Sequence, residues 1–121
     1  MKAEDIDTNY GMLTKLNVTD VDASLKFYTE TLGMTNDEKI YVPGVWAQVS
    51  FGSNVIGLNR GKETGSGHAS ITFYVKDIKA VRDSLIEKGV EVSDTISAGK
   101  GVTLAFFKDP DGNGLGLREN S

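Results

Sequence analysis

Apolar residues along this chain follow two alternating periods, and the sequence of periods runs twice. From Met12 to Val18 they alternate, with Met12, Leu16 and Val18 on one face and Thr14 the soft member of that face. Asp20 then precedes Val21, Leu25, Tyr28 and Leu32, a helical spacing that Gly33 closes. Three strand-like runs follow, Thr35–Val42, Val45–Phe51 and Asn54–Asn59, the last two flanking a two-residue turn at Gly52-Ser53.

The second half repeats this programme. His68–Val75 alternates, Asp77 caps a helix carrying Ile78, Val81, Leu85 and Ile86, and Gly89 ends it. Strands are expected near Glu91–Ile96, at Val102–Phe107 and at Asn113–Arg118. Val18-Thr-Asp-Val-Asp-Ala23 lines up with Val75-Lys-Asp-Ile-Lys-Ala80, and Asn54-Val-Ile-Gly-Leu58 with Asn113-Gly-Leu-Gly-Leu117. Two matched ends bracketing the same order of elements point to a duplication. The expected organisation is a polar leader over 1–10, a βαβββ module over 11–60, a Gly-rich linker over 61–67 and a second βαβββ module over 68–121. The fold class is α+β, one structural domain with a curved mixed sheet around a cleft and the helices on its outer face.

Strand parity divides each sheet into two faces. A helix buries its apolar stripe against a sheet, so the apolar face is the covered one. In the first module it holds Met12, Leu16, Val18, Val45, Ala47, Val49, Phe51, Ile56 and Leu58. In the second, parity predicts Ala69, Ile71, Phe73, Val75, Val102, Leu104, Phe106, Leu115 and Leu117. The first module's opposite face carries Leu13, Lys15, Asn17, Trp46, Gln48, Ser50, Val55, Gly57 and Asn59. The second module's is expected to carry His68, Ser70, Thr72, Tyr74, Thr103, Ala105, Phe107, Gly114, Gly116 and Arg118. It mixes aromatic groups, uncharged hydrogen-bonding groups and small residues, which is the make-up of a ligand pocket. One imidazole, at His68, and no carboxylate are expected on it.

Composition narrows the partners. The 121 residues carry a net charge of −4 with 25% charged residues, so nucleic acid or an anionic membrane is not the expected partner. There is no cysteine, which removes disulfides, thiolate metal sites and a Cys nucleophile. No apolar run is long enough for a membrane span, and residues 1–10 contain no signal-peptide core, so a cytoplasmic protein is expected. Asp109 and Asp111 flank Pro110 ahead of Gly112, a turn whose chemistry explains both acids.

Asp20-Val-Asp-Ala-Ser-Leu-Lys-Phe-Tyr28 with Leu32-Gly33 resembles the first helix of the vicinal oxygen chelate superfamily, which includes glyoxalase I, bleomycin-resistance proteins and extradiol dioxygenases. Phe107-Lys-Asp-Pro-Asp-Gly-Asn113 resembles its final hairpin. The resemblance implies paired modules around a cleft and a homodimer. Metal-using members carry ligands on the first and last strands of each module, and by position these fall on Leu13, Gly57, Ser70 and Gly116. None is a His, Glu or Gln, so no metal and no cofactor are expected.

The resemblance is nearest to the bleomycin-resistance branch, and it implies a protein that sequesters a planar or amphiphilic small molecule. Trp46, Phe107 and Tyr74 would supply apolar contact, Gln48, Ser50, Asn59, Ser70 and Thr72 would orient polar groups, and Lys15 or Arg118 would meet an anionic group. An alternative is a glyoxalase-like lyase, isomerase or transferase using His68 as base or a shifted metal site. A second alternative is a regulatory or interaction module with a vestigial cleft.

Overall fold

Two aspartates start the two helices. In the computed structural model, which describes residues 2–5, 13–65, 70–99 and 101–121, Asp20 and Asp77 both have extended backbone at the N-cap. Their carboxylates accept from the amides of Ala23 at 3.0 Å and Ala80 at 3.1 Å. Each cap satisfies an orphan helix donor and contributes about 1 kcal/mol. Helix α1 runs Val21–Lys26 and widens into a π-helical turn at Phe27–Thr31, while α2 runs Ile78–Glu87. The hydroxyl of Thr29 donates to the carbonyl of Leu25 at 2.8 Å, a side-chain competitor of the kind that loosens a helix ladder. Gly33, with φ 75°, ends the turn.

The chain divides into two units, 1–64 and 65–121. The first contains β1 (Leu13–Val18), β2 (Thr35–Asn36), β3 (Trp46–Phe51) and β4 (Asn54–Arg60), in the order β1-β4-β3-β2. β1 lies parallel to β4, and β3 and β4 form a hairpin that closes at Phe51 opposite Asn54. This register puts Leu16, Val18, Ala47, Val49, Ile56 and Leu58 on one face, all buried. α1 packs on β3 and β4 and buries Val21, while Tyr28 in the π turn is fully buried.

One expected strand is much shorter than its apolar residues suggest. Of Thr35–Val42, only Thr35–Asn36 forms a strand against β3; a 3₁₀ turn at Glu38–Ile40 follows, and Val42 then makes an isolated antiparallel bridge to Trp46. The amide of Asp37 donates to the carbonyl of Gln48 at 2.8 Å, just past β2. The Tyr41 hydroxyl donates to the Asp22 carboxylate at the start of α1, which ties this turn to the helix. Val45 lies in the turn before β3 and is exposed, so it does not belong to the covered face.

The second unit contains β5 (Ser70–Tyr74), β6 (Ile96–Gly99), β7 (Val102–Lys108) and β8 (Gly114–Asn120), in the order β5-β8-β7-β6. β5 is parallel to β8, and α2 packs on β7 and β8. Ala105 lies opposite Leu117 and Phe107 opposite Leu115, and all four are buried. The covered face of β7 is therefore Thr103, Ala105 and Phe107; Val102, Leu104 and Phe106 lie on the other. This reverses the expected parity of β7. The strand is apolar at consecutive positions, so its pattern does not select a face, and the turn decides. The first hairpin turns in two residues, whereas Lys108 pairs with Gly114 across the longer loop 109–113. That difference shifts parity by one.

The expected strand over Glu91–Ile96 is also displaced, β6 beginning only at Ile96. Arg82 holds the preceding stretch to α2, its Nε donating to the carbonyl of Ser93 at 2.7 Å. No helix among the described residues is long and apolar enough to cross a membrane.

Candidate functional site

The face of the first sheet away from α1 is built in rows across β1, β4 and β3. Lys15, Gly57 and Gln48 form one row; Asn17, Asn59 and Trp46 form the next; Leu13, Val55 and Ser50 form the third. Trp46 leans out of its own row onto Gly57. A Cβ added to Gly57 would lie 2.5 Å from Cζ2 of the indole, closer still to Cη2, and 3.2 Å from Cδ2 of Leu13. Only glycine admits the ring there, which explains a glycine inside a strand. Asn59 donates from Nδ2 to Oδ1 of Asn17 at 3.1 Å, so these two amides order each other beside the indole.

Gln48 carries a neighbour that parity does not reveal. Its Nε2 lies 3.4 Å from Oδ2 of Asp37, which brings a carboxylate to the edge of a face expected to have none. Asp37 lies just past β2, where the shortening of the expected strand redirects it. A strand-length signal would have been needed to find it.

On the second sheet, the corresponding rows are Thr72, Gly116 and Phe106, and then Tyr74, Arg118 and Leu104. Ile96 extends the latter row through β6. A Cβ on Gly116 would meet Thr72 Oγ1 at 3.4 Å and Phe106 Cδ1 at 3.6 Å, ordinary contact distances. The two structurally matched glycines thus differ: an indole covers Gly57, whereas a hydroxyl and a ring edge border Gly116. The Arg118 guanidinium carbon lies 5.4 Å from the Tyr74 ring centroid, a cation–π arrangement, and its Nε donates to Oδ1 of Asn120 at 2.8 Å.

Of the expected site residues, Trp46, Gln48, Ser50 and Asn59 lie on the open face of the first sheet, and Thr72, Tyr74 and Arg118 on that of the second. Ser70 pairs with Gly114 at the start of the same row pattern. Phe107 does not join them: it is 5% exposed and belongs to the covered core, while Phe106, 44% exposed, takes the open position opposite Gly116. His68 lies outside the described residues.

Three of the four positions onto which the family resemblance carries metal ligands, Leu13, Gly57 and Gly116, have no side-chain donor for a divalent ion. Leu13 offers a methyl group, Gly57 and Gly116 offer no side chain, and the place beside Gly57 is filled by Trp46. A hard or borderline cation needs imidazole or carboxylate donors. Among the described residues, no group of three His, Cys, Asp or Glu side chains could hold a metal.

The turn after β7 is a scaffold. Oδ1 of Asp109 accepts from the amides of Asp111 at 2.9 Å and Asn113 at 2.8 Å, and Oδ2 accepts from Nδ2 of Asn113 at 2.8 Å. Asp109 is 5% exposed, and its carboxylate satisfies donors that the turn would otherwise bury unpaired.

Two four-stranded mixed sheets, each with a crossing helix and a helix-free face, are the architecture of one large class of small-molecule proteins. Residues 11–117 match the Glyoxalase/Bleomycin resistance protein/Dioxygenase superfamily, and the chain belongs to it. It is 37% identical over 122 residues to a probable lactoylglutathione lyase of Vibrio parahaemolyticus, covering 88% of each chain. It is 34% identical over 122 residues to a protein of the same name from Synechocystis sp., covering 89% of this chain and 93% of the relative. The crystal structure of TnmS3, an antibiotic binding protein from Streptomyces sp. CB03234, superposes with a TM-score of 0.76 at 29% identity, over 90% of this chain and 93% of that one.

Proposed function

We propose that this protein binds a planar or amphiphilic small molecule without a metal ion and holds it rather than transforming it. The observation that carries this reading is the seat of Trp46 on Gly57 beside Leu13. Two positions that supply metal ligands in related enzymes are here a glycine and a leucine, and the indole fills the space between rows. An indole face presents a large, rigid apolar surface on which a planar ligand stacks, worth on the order of 1 kcal/mol beyond simple burial. On the open face of the first sheet Gln48, Ser50 and Asn59 are the polar groups that would orient such a ligand; on that of the second, Ser70 and Thr72 would supply polar groups and Tyr74 and Phe106 apolar contact. The similarity to an antibiotic binding protein supports the same reading. In this reading the protein acts in the cytoplasm as a homodimer.

Trp46 is the sole tryptophan, so its emission reports on the proposed site. Saturable quenching by members of an aromatic drug and metabolite panel, lost in Trp46→Phe, supports binding. Silence across the panel favours an interaction module instead. After incubation with zinc, nickel or manganese and gel filtration, the protein should carry no stoichiometric metal. One tight equivalent per chain overturns the metal-free reading.

The names of the curated relatives favour a second reading, a glyoxalase-type lyase. It would have to work with His68 as base or with metal donors other than Leu13, Gly57, Ser70 and Gly116. Lactoylglutathione lyase activity, assayed with and without added zinc or nickel, separates the two. Turnover that survives His68→Ala removes the proposed base.

A further inference from the structure

The two open faces differ at their matched glycines, and the difference assigns the second face a ligand of its own. We propose that the open face of the second sheet binds a planar aromatic carboxylate, with the ring against Phe106 and Ile96 and the carboxylate held by Arg118 and Thr72. The proposal rests on reading the chain as a small-molecule binder and names the chemical class that this face selects.

The apolar part of the site comes from three side chains. Phe106 is 44% exposed and Ile96 is 49% exposed, both on the open face, with Leu104 between them in the strand pattern. Gly116 is buried, bordered by the Thr72 hydroxyl and the Phe106 ring, so the surface offered to a flat ligand is the ring itself with Leu104 and Ile96 beside it. A solvated sheet face has no use for this arrangement, and exposed apolar patches of this kind mark binding sites.

The polar part supplies the sign of the charge. Arg118 uses Nε on Asn120 and lies over the Tyr74 ring, which fixes the plane of the guanidinium. Neither Nη group has a hydrogen-bond partner among the described residues. A guanidinium with its far edge unused is a ready fork for a carboxylate. The Thr72 hydroxyl, in the adjacent row and bordering Gly116, likewise bonds to nothing among the described residues. Lys108, on the same face of β7 opposite Gly114, adds a second positive charge. A neutral ligand would leave the guanidinium fork unused, and a simple anion would leave the Phe106–Leu104–Ile96 patch uncovered. An aromatic acid satisfies both.

The test is isothermal titration of the full chain with 1-naphthoate and with its neutral analogue 1-naphthalenemethanol. The expected result is naphthoate binding tighter by about tenfold or more, the scale of a charge-assisted bidentate contact. Arg118→Gln should abolish that preference while leaving the alcohol's affinity unchanged, and Phe106→Ala should weaken both ligands. Thr72→Val, a near-isosteric change on an exposed strand position, should weaken naphthoate alone and guards against a misfolded Arg118 variant. Equal affinity for acid and alcohol overturns the proposal, as does an Arg118→Gln variant that changes the oligomeric state but not naphthoate binding. Saturable Trp46 quenching by neutral planar compounds together with equal affinity for acid and alcohol in the titration would sink this inference and leave the general binding function standing.

Discussion

The indole of Trp46 occupies the volume that any side chain at Gly57 would need. The two residues sit on neighbouring strands in adjacent rows, and each dictates what the other can be. A glutamate at position 57 and the seated indole would be mutually exclusive.

That exclusion gives a contrast between twin glycines. Gly57→Ala should expel the indole, shift tryptophan emission to the red and cost about 1–3 kcal/mol, as overpacking does. Gly116→Ala meets only ordinary contacts and should change stability by less than about 1 kcal/mol, since a strand gains from losing a glycine. Urea unfolding of both variants, followed by fluorescence, checks the pair.

Register in β7 is tested by neighbouring phenylalanines. Phe107→Ala removes a buried ring and should cost about 3–5 kcal/mol. Phe106→Ala trims a ring that is nearly half exposed and should cost far less, by thermal denaturation under the same conditions. A reversed order would restore the parity expected from the alternation.

The Asp109 carboxylate and the exposed polar groups of its turn should behave unequally. Asp109→Ala leaves the amides of Asp111 and Asn113 and the side chain of Asn113 short of their acceptor, at about 2–3 kcal/mol in total. Asp111→Ala should be milder, because it keeps the Asp111 amide that donates to Asp109. Chemical denaturation midpoints decide, and binding by the Asp111 variant should be unaffected.

Tyr41 carries a pH dependence with a definite sign. Its hydrogen bond to the Asp22 carboxylate, then partial desolvation and the nearby negative charge, raise its pKa above the ordinary 10.0. The folded chain thus holds the phenolic proton more tightly than the unfolded chain does. The contribution to stability is fully present below the unfolded value and is lost as pH rises through the raised folded one. Asp22→Asn should move the Tyr41 titration down, read as the phenolate absorbance difference against Tyr41→Phe.

Much of this protein is written locally. Asp20 and Asp77 start helices because a carboxylate reaches an orphan amide three residues on, a purely short-range event. The parity of the first sheet follows from Phe51 and Asn54, which a two-residue turn places opposite each other. The membership of the family is legible for the same reason: the helix start and the Asp109–Asn113 turn are continuous stretches of chain. The identities of Leu13, Gly57, Ser70 and Gly116 are equally plain. What the chain alone did not determine depends on how distant pieces meet. The β7 strand is apolar on both faces, so only the longer loop and its buried Asp109 decide that Phe107 goes inward and Phe106 outward. Asp37 reaches Gln48 only because β2 stops early. The space beside Gly57 reads in sequence as a gap, and tertiary packing closes it with a side chain from the next strand, because an indole is long enough to cross between rows.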